Sequence, residues 1–112
     1  MIEIEAVFDE AGLLRSCKVQ GHAQAGPKGG DIVCAAVTVL TRTALRVLSG
    51  REGITIRGNA PKRGMIGMEM DYTAEGRAFL SAAGAFLMAG LASVSEEYPD
   101  YCKINVYTER RN

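Results

Sequence analysis

The spacing of apolar residues changes several times along this 112-residue chain, and each change marks an element. Residues 2–8, "IEIEAVF", alternate apolar and polar with the two-residue period of a strand. A turn at residues 9–12 interrupts the alternation, which resumes over residues 13–22 and predicts a hairpin. From Asp31 the period lengthens to that of a helix, running to about Ser49 and closing at Gly50, a residue suited to a left-handed C-terminal cap. Residues 53–58, "GITIRG", and 64–72, "GMIGMEMDY", alternate again around the turn "NAPKR". A second long helix is predicted after Thr73, its expected N-cap, and stops before Pro99. A last strand begins near Tyr101, with Cys102, Ile104 and Val106 on one face. The order ββαββαβ predicts one α+β domain: a two-layer, mainly antiparallel five-stranded sheet with two helices on one face.

The second helix is unusual in what it lacks. Residues 78–95, "AFLSAAGAFLMAGLASVS", carry no charge, a length that raises the question of a membrane span. Alanine, glycine and serine dominate, however, and few large side chains are present to drive insertion. Phe79, Ala83, Phe86, Leu87, Gly90, Leu91 and Val94 recur at helical spacing and predict one apolar stripe on a buried core helix. Its apolar and small surface exceeds what a two-layer monomer covers, so a two-fold homodimer is expected. Met65, Met68, Met70 and Met88 fall at core positions and read as packing.

Charge and composition exclude several classes of function. Thirteen acidic and thirteen basic residues give a formal net charge of zero, and there is no tryptophan. Neither direct nucleic-acid binding nor a membrane surface is expected as a partner. Arg57, Lys62 and Arg63, and the tail at residues 109–111, read as solvated surface. The three cysteines are odd in number and widely spaced, and the first residues do not form a signal peptide, so a reducing cytoplasm is expected. One histidine and no CxxC pair make a zinc site hard to build, so no metal and no cofactor is expected.

The chemistry concentrates in "GHAQAGPKGGDIVCAA", residues 21–36. It holds the single histidine, His22, and one cysteine, Cys34, separated by a glycine-rich loop. With the helix beginning at Asp31, Cys34 falls in its first turn, where free N–H groups and the helix dipole stabilise a thiolate. His22 ends the preceding strand, and the loop at residues 23–30 must return the chain to the helix start, which brings the two residues near each other. A histidine beside such a thiol can take its proton and later protonate a leaving amine, while nearby N–H groups stabilise an oxyanion. Plainer readings stand beside this one. Cys34 can be a small buried hydrophobe, as Cys17 and Cys102 are expected to be, and His22 a structural residue. Asp31 is expected as the helix N-cap, with orientation of His22 as its alternative; its charge opposes that of a thiolate. Gly29 and Gly30 can simply make a turn, and "GPKGGD" lacks the residues of a P-loop, so a nucleotide site is not expected.

The pattern Gly21-His22-Ala23, a glycine-rich loop with Gly29 and Gly30, then Asp31-Ile32-Val33-Cys34-Ala35-Ala36-Val37 resembles the signature of the ribosomal-processing cysteine protease (Prp) family. The likeness extends over the chain in length, element order and the small-residue second helix. It implies a cytoplasmic cysteine endopeptidase that removes a short N-terminal extension from a large-subunit ribosomal protein. Cys34 would be the nucleophile and His22 the base and proton donor, as a dyad in a homodimer. Thr38, one helical turn after Cys34, stands where many relatives would have serine; it keeps the hydroxyl and adds a methyl. The loop at residues 23–30 is expected to be mobile and to close over bound peptide. The runner-up is a noncatalytic binding module for ribosome assembly. Thiol redox chemistry ranks last, because Cys17 opposes His22 in strand parity.

Overall fold

Seven elements form in the predicted order in the computed structural model, which describes residues 1–21, 29–60 and 65–109. They are β1 (Ile2–Phe8), β2 (Leu14–Gln20), α1 (Gly29–Leu48), β3 (Ile54–Asn59), β4 (Met65–Tyr72), α2 (Arg77–Glu97) and β5 (Cys102–Thr108). The sheet order is β3-β4-β2-β1-β5. The two hairpins and the β2–β4 pair are antiparallel, whereas β5 returns parallel to β1, with Ile2 opposite Cys102 and Ile4 opposite Ile104. The α+β architecture is as the hydrophobic pattern implied.

Alternation assigns the two faces. Val19 stands opposite Ile4 on one side and Ile66 on the other, and Cys17 stands between Ala6 and Met68. These rows form the core with Ile2, Leu14, Met70 and Cys102. Glu3, Glu5, Lys18, Gln20 and Glu69 alternate onto the opposite, solvent-facing side. A shallow groove of about 390 Å³ lies there, lined by Glu3, Ile4, Glu5, Lys18, Gln20 and Asn105.

Both helices pack on the sheet and on each other, α1 over β3 and β4 and α2 over β2 and β5. Small residues set how closely they approach. A Cβ at Gly90 of α2 would lie 2.9 Å from Leu40 Cδ2 of α1, and one at Gly58 of β3 would lie 2.7 Å from Leu45 Cδ1. α2 has the length and apolarity of a membrane span by composition, but Leu80, Gly84, Leu87 and Leu91 seat it on the sheet.

Three local expectations are corrected. Helix α1 begins at Gly29 rather than Asp31, so Gly29 and Gly30 are helical. Helix α2 begins at Arg77 with Gly76 as its N-cap, not after Thr73. Thr73 is instead spent on a turn: its N–H donates to Gly53 O, and the N–H of Gly76 donates to Thr73 O. Gly53, at φ +79°, and Gly76 touch so closely that a side chain at either would overlap the other's backbone, and the helix starts only beyond that crossing. The stripe on α2 is also rotated from the one expected. Leu87 and Leu91 belong to the buried row, but Phe79, Ala83, Gly90 and Val94 are only partly covered, and Phe86 is 74% exposed.

Candidate active site

The start of α1 is held by Val33 and Val37, both buried in the core. Successive helical residues turn by about 100°. Cys34 therefore comes to the rim of the core, half-buried, while Ile32 is 52% exposed on the other side of Val33. Cys34, Thr38, Thr41 and Leu45 recur at i, i+4, i+7 and i+11, so they share one side of α1. Leu45 rests on Gly58, which turns that side toward the β3–β4 half of the sheet.

The earlier helix start moves two of the expected roles. Cys34 is the sixth residue of α1, in its second turn, and its own N–H lies within the helical ladder. The N–H groups that a helix leaves without intrahelical partners belong to the turn before it, where they and the dipole favour negative charge ahead of the thiol. Asp31 lies inside the first helical turn and is not the N-cap; there its exposed carboxylate complements the positive helix end. Thr38 is half-buried one turn beyond Cys34, on the same side.

A buried hydroxyl lies under this turn. Thr41 has no exposed surface, and its Oγ1 donates to Val37 O at 2.8 Å and lies 3.2 Å from Thr38 O. Sequence reading passed over Thr41, since a threonine among alanines and leucines gives no signal beyond its helical register. Such back-bonding bends a helix slightly and satisfies the hydroxyl where no other partner is at hand.

The three thiols differ in environment. Cys17 is 1% exposed at the centre of the sheet, and burial pushes its thiol up to about 11. Burial also raises the Cys102 thiol. Both are held as neutral, inert thiols, as expected of core residues. Cys34 alone reaches the rim.

At the end of β2, Gly21 is exposed with φ +101°. His22 and the residues through Lys28 lie outside the described residues, and so does the expected closing loop except for its last two residues, Gly29 and Gly30, which belong to α1. Among the described residues, no three of His, Cys, Asp and Glu are grouped as metal ligands.

An accessible thiol just inside a helix N-terminus, backed by a sheet, defines a cysteine hydrolase as the class this scaffold can serve. A family model for cysteine protease Prp matches residues 1–103, and the chain belongs to that family. Among solved structures it is similar to SMU.848 from Streptococcus mutans, at 24% identity and TM-score 0.80, covering 97% of this chain and 96% of that one. It is also similar to the essential ribosomal processing protease Prp from S. aureus in complex with a substrate peptide, at 19% identity and TM-score 0.80. That match covers 95% of this chain and 99% of the other. The S. aureus protease with a covalently linked product peptide matches at 20% identity and TM-score 0.79, with the same coverage. At these identities the likeness establishes the fold. No curated protein matches the chain.

Proposed function

We propose that this protein removes a short N-terminal extension from a large-subunit ribosomal protein, with Cys34 as nucleophile and His22 as general base and proton donor. The observation that carries the reading is the environment of the thiols: two are buried and inert, and the third stands at the rim of the core, just behind the first turn of α1. In this reading His22 takes the Cys34 proton and Sγ attacks the scissile carbonyl carbon. The carbonyl oxygen becomes an oxyanion, for which the first turn of α1 supplies N–H donors. The C–N bond then breaks as His22 gives its proton to the departing amine, leaving a thioester. Water attacks the thioester, His22 accepts its proton, and the acid leaves as Cys34 regains its thiol. With the N-cap role removed by the earlier helix start, Asp31 is left with its alternative, orientation of His22.

The substrate assignment rests on family membership and on the S. aureus relative, a ribosomal processing protease crystallised with a substrate peptide. A cytoplasmic location fits three cysteines with no disulfide among them. A two-fold homodimer fits the apolar side chains left uncovered on the helical layer: Ile32, Val39, Val47 and Phe86.

The test is incubation with a peptide spanning the extension junction, alongside brief iodoacetamide treatment near neutral pH and peptide mapping. Cleavage of the peptide and alkylation confined to Cys34 are expected. An unreactive Cys34 with no cleavage would leave the noncatalytic binding module as the function.

A further inference from the structure

Four glycines among the described residues have positive φ: Gly12, Gly21, Gly50 and Gly53. Gly12 and Gly50 face open space, so each needs glycine only for the direction of a turn. Gly53 is enclosed by Gly76 at the start of α2, where it serves the fold. Gly21 is enclosed too, but it directly precedes His22.

The enclosure of Gly21 is made by backbone. A Cβ there would lie 2.4 Å from Met1 O, 3.4 Å from Met1 C and 3.6 Å from Ile2 Cα. That wall is not free to retreat. The N–H of Ile2 donates to Tyr101 O at 2.8 Å, and the N–H of Tyr101 donates to Tyr98 O just past α2. Ile2 itself is buried opposite Cys102. The last rung of the β1–β2 ladder pairs Glu3 with Gln20, so Gly21 is the first residue released from the sheet. Its φ and its contact with Met1 together set the direction in which the chain leaves β2.

We propose that Gly21 is a positioning residue for His22: its left-handed backbone, closed against the Met1 carbonyl, aims the chain that carries the base. The proposal deepens the Cys34/His22 reading and rests on it. A side chain at Gly21 must move either the strand end or the wall, and misplacement of a catalytic group by about 1 Å can cost about 10²-fold in rate.

The experiment compares Gly21→Ala, His22→Ala, the double variant and Gly12→Ala, measuring peptide cleavage, melting temperature and the pH dependence of Cys34 alkylation. Gly12→Ala introduces the same kind of φ strain at the opposite end of β2 from Gly21 and is expected to keep parental activity. Gly21→Ala is expected to lose about 10²-fold in kcat/KM, with an alkylation profile that follows that of His22→Ala. In the His22→Ala background, adding Gly21→Ala should leave alkylation unchanged. Parental activity in Gly21→Ala, or a further loss of alkylation in the double variant, overturns the proposal. Parental activity in His22→Ala overturns the base assignment beneath it. A semisynthetic chain ligated at Cys34 with D-alanine at position 21 covers the case in which Gly21→Ala fails to fold. D-alanine accepts positive φ and turns its methyl away from Met1. Activity at least about tenfold above that of the L-alanine chain is expected, and equal activity overturns the proposal.

Discussion

Helices α1 and α2, of 20 and 21 residues, lie side by side on one sheet but differ in what they bury and what they expose. α1 buries Val33, Val37, Thr41 and Leu48, and it carries Asp31, Arg42 and Arg46 on exposed positions. Val and Thr are short, so the start of α1 stays close to the sheet and Cys34 is carried to the rim. α2 seats itself with leucines and has no charge from residue 78 to 95. Its outward positions, Ala82, Ala85, Phe86 and Ala89, are exposed yet offer nothing to water. A face like that suits another protein surface. The half-buried thiol therefore sits on the helix with a mixed outer face, and the longest uncharged face belongs to the other.

Substitutions that separate the two roles can break this contrast. The largest effect is expected from Cys34→Ala, with cleavage falling by at least about 10³-fold because a nucleophile and its base act as a unit. Its melting temperature should stay close to the parent's, since the thiol sits only half in the core. A large drop in melting temperature would return Cys34 to the role of packing. Leu80→Ala inverts the pattern: it empties a fully buried site on α2 and should cost about 2–5 kcal/mol in denaturant unfolding. Cleavage per folded molecule should be kept, and a parallel loss of rate would show the helices to be coupled. Phe86→Glu should lower dimer affinity in sedimentation by tenfold or more, about 1.4 kcal/mol, while leaving the folded monomer intact. Unchanged sedimentation would remove Phe86 from the interface.

The smallest expected effect lies away from both helix faces. Asp9 accepts the Tyr72 hydroxyl and the N–H groups of Ala11 and Leu13, closing the first hairpin. Burial acts to raise the Asp9 carboxyl, but those hydrogen bonds and Arg15 together lower it from 3.8. The bond to Asp9, with burial, raises Tyr72 from 10.0. A lowered carboxyl lends stability that is full above pH 3.8 and is lost as pH falls through the folded value. A raised phenol lends stability that is full below pH 10 and is lost as pH rises through its folded value. Tyr72→Phe should flatten both limbs of a stability–pH curve, and identical limbs in mutant and parent would show the pair contributes nothing.

Periodicity made all seven elements legible, because each long run keeps one period and turn residues punctuate the changes. The errors fall where tertiary contact overrode a local signal. Thr73 is a good N-cap by type, but the Gly53–Gly76 crossing comes first and takes its N–H. Helical spacing puts Phe86 on the expected core stripe, but on a helix this rich in alanine several faces fit that spacing equally well. Cys34 stood out from its neighbours Gly21, His22 and Asp31, and the structure adds that it is the accessible thiol. Nothing in the residue order could show that Met1 walls Gly21, since that contact exists only once β1 and β2 are in register.

The parallel pairing of β1 with β5 joins residues about a hundred positions apart, Ile2 with Cys102, while both hairpins close locally. Contacts of such long sequence separation form late, because the loop entropy is lost before the pairing is gained. During synthesis the first four strands and α1 can emerge and collapse while Ile2 still lacks Tyr101 as its acceptor. The backbone that walls Gly21 thus becomes rigid only when the last strand arrives. A partly made chain carries the Cys34 thiol before the Ile2–Tyr101 bond that fixes the wall of Gly21 can form.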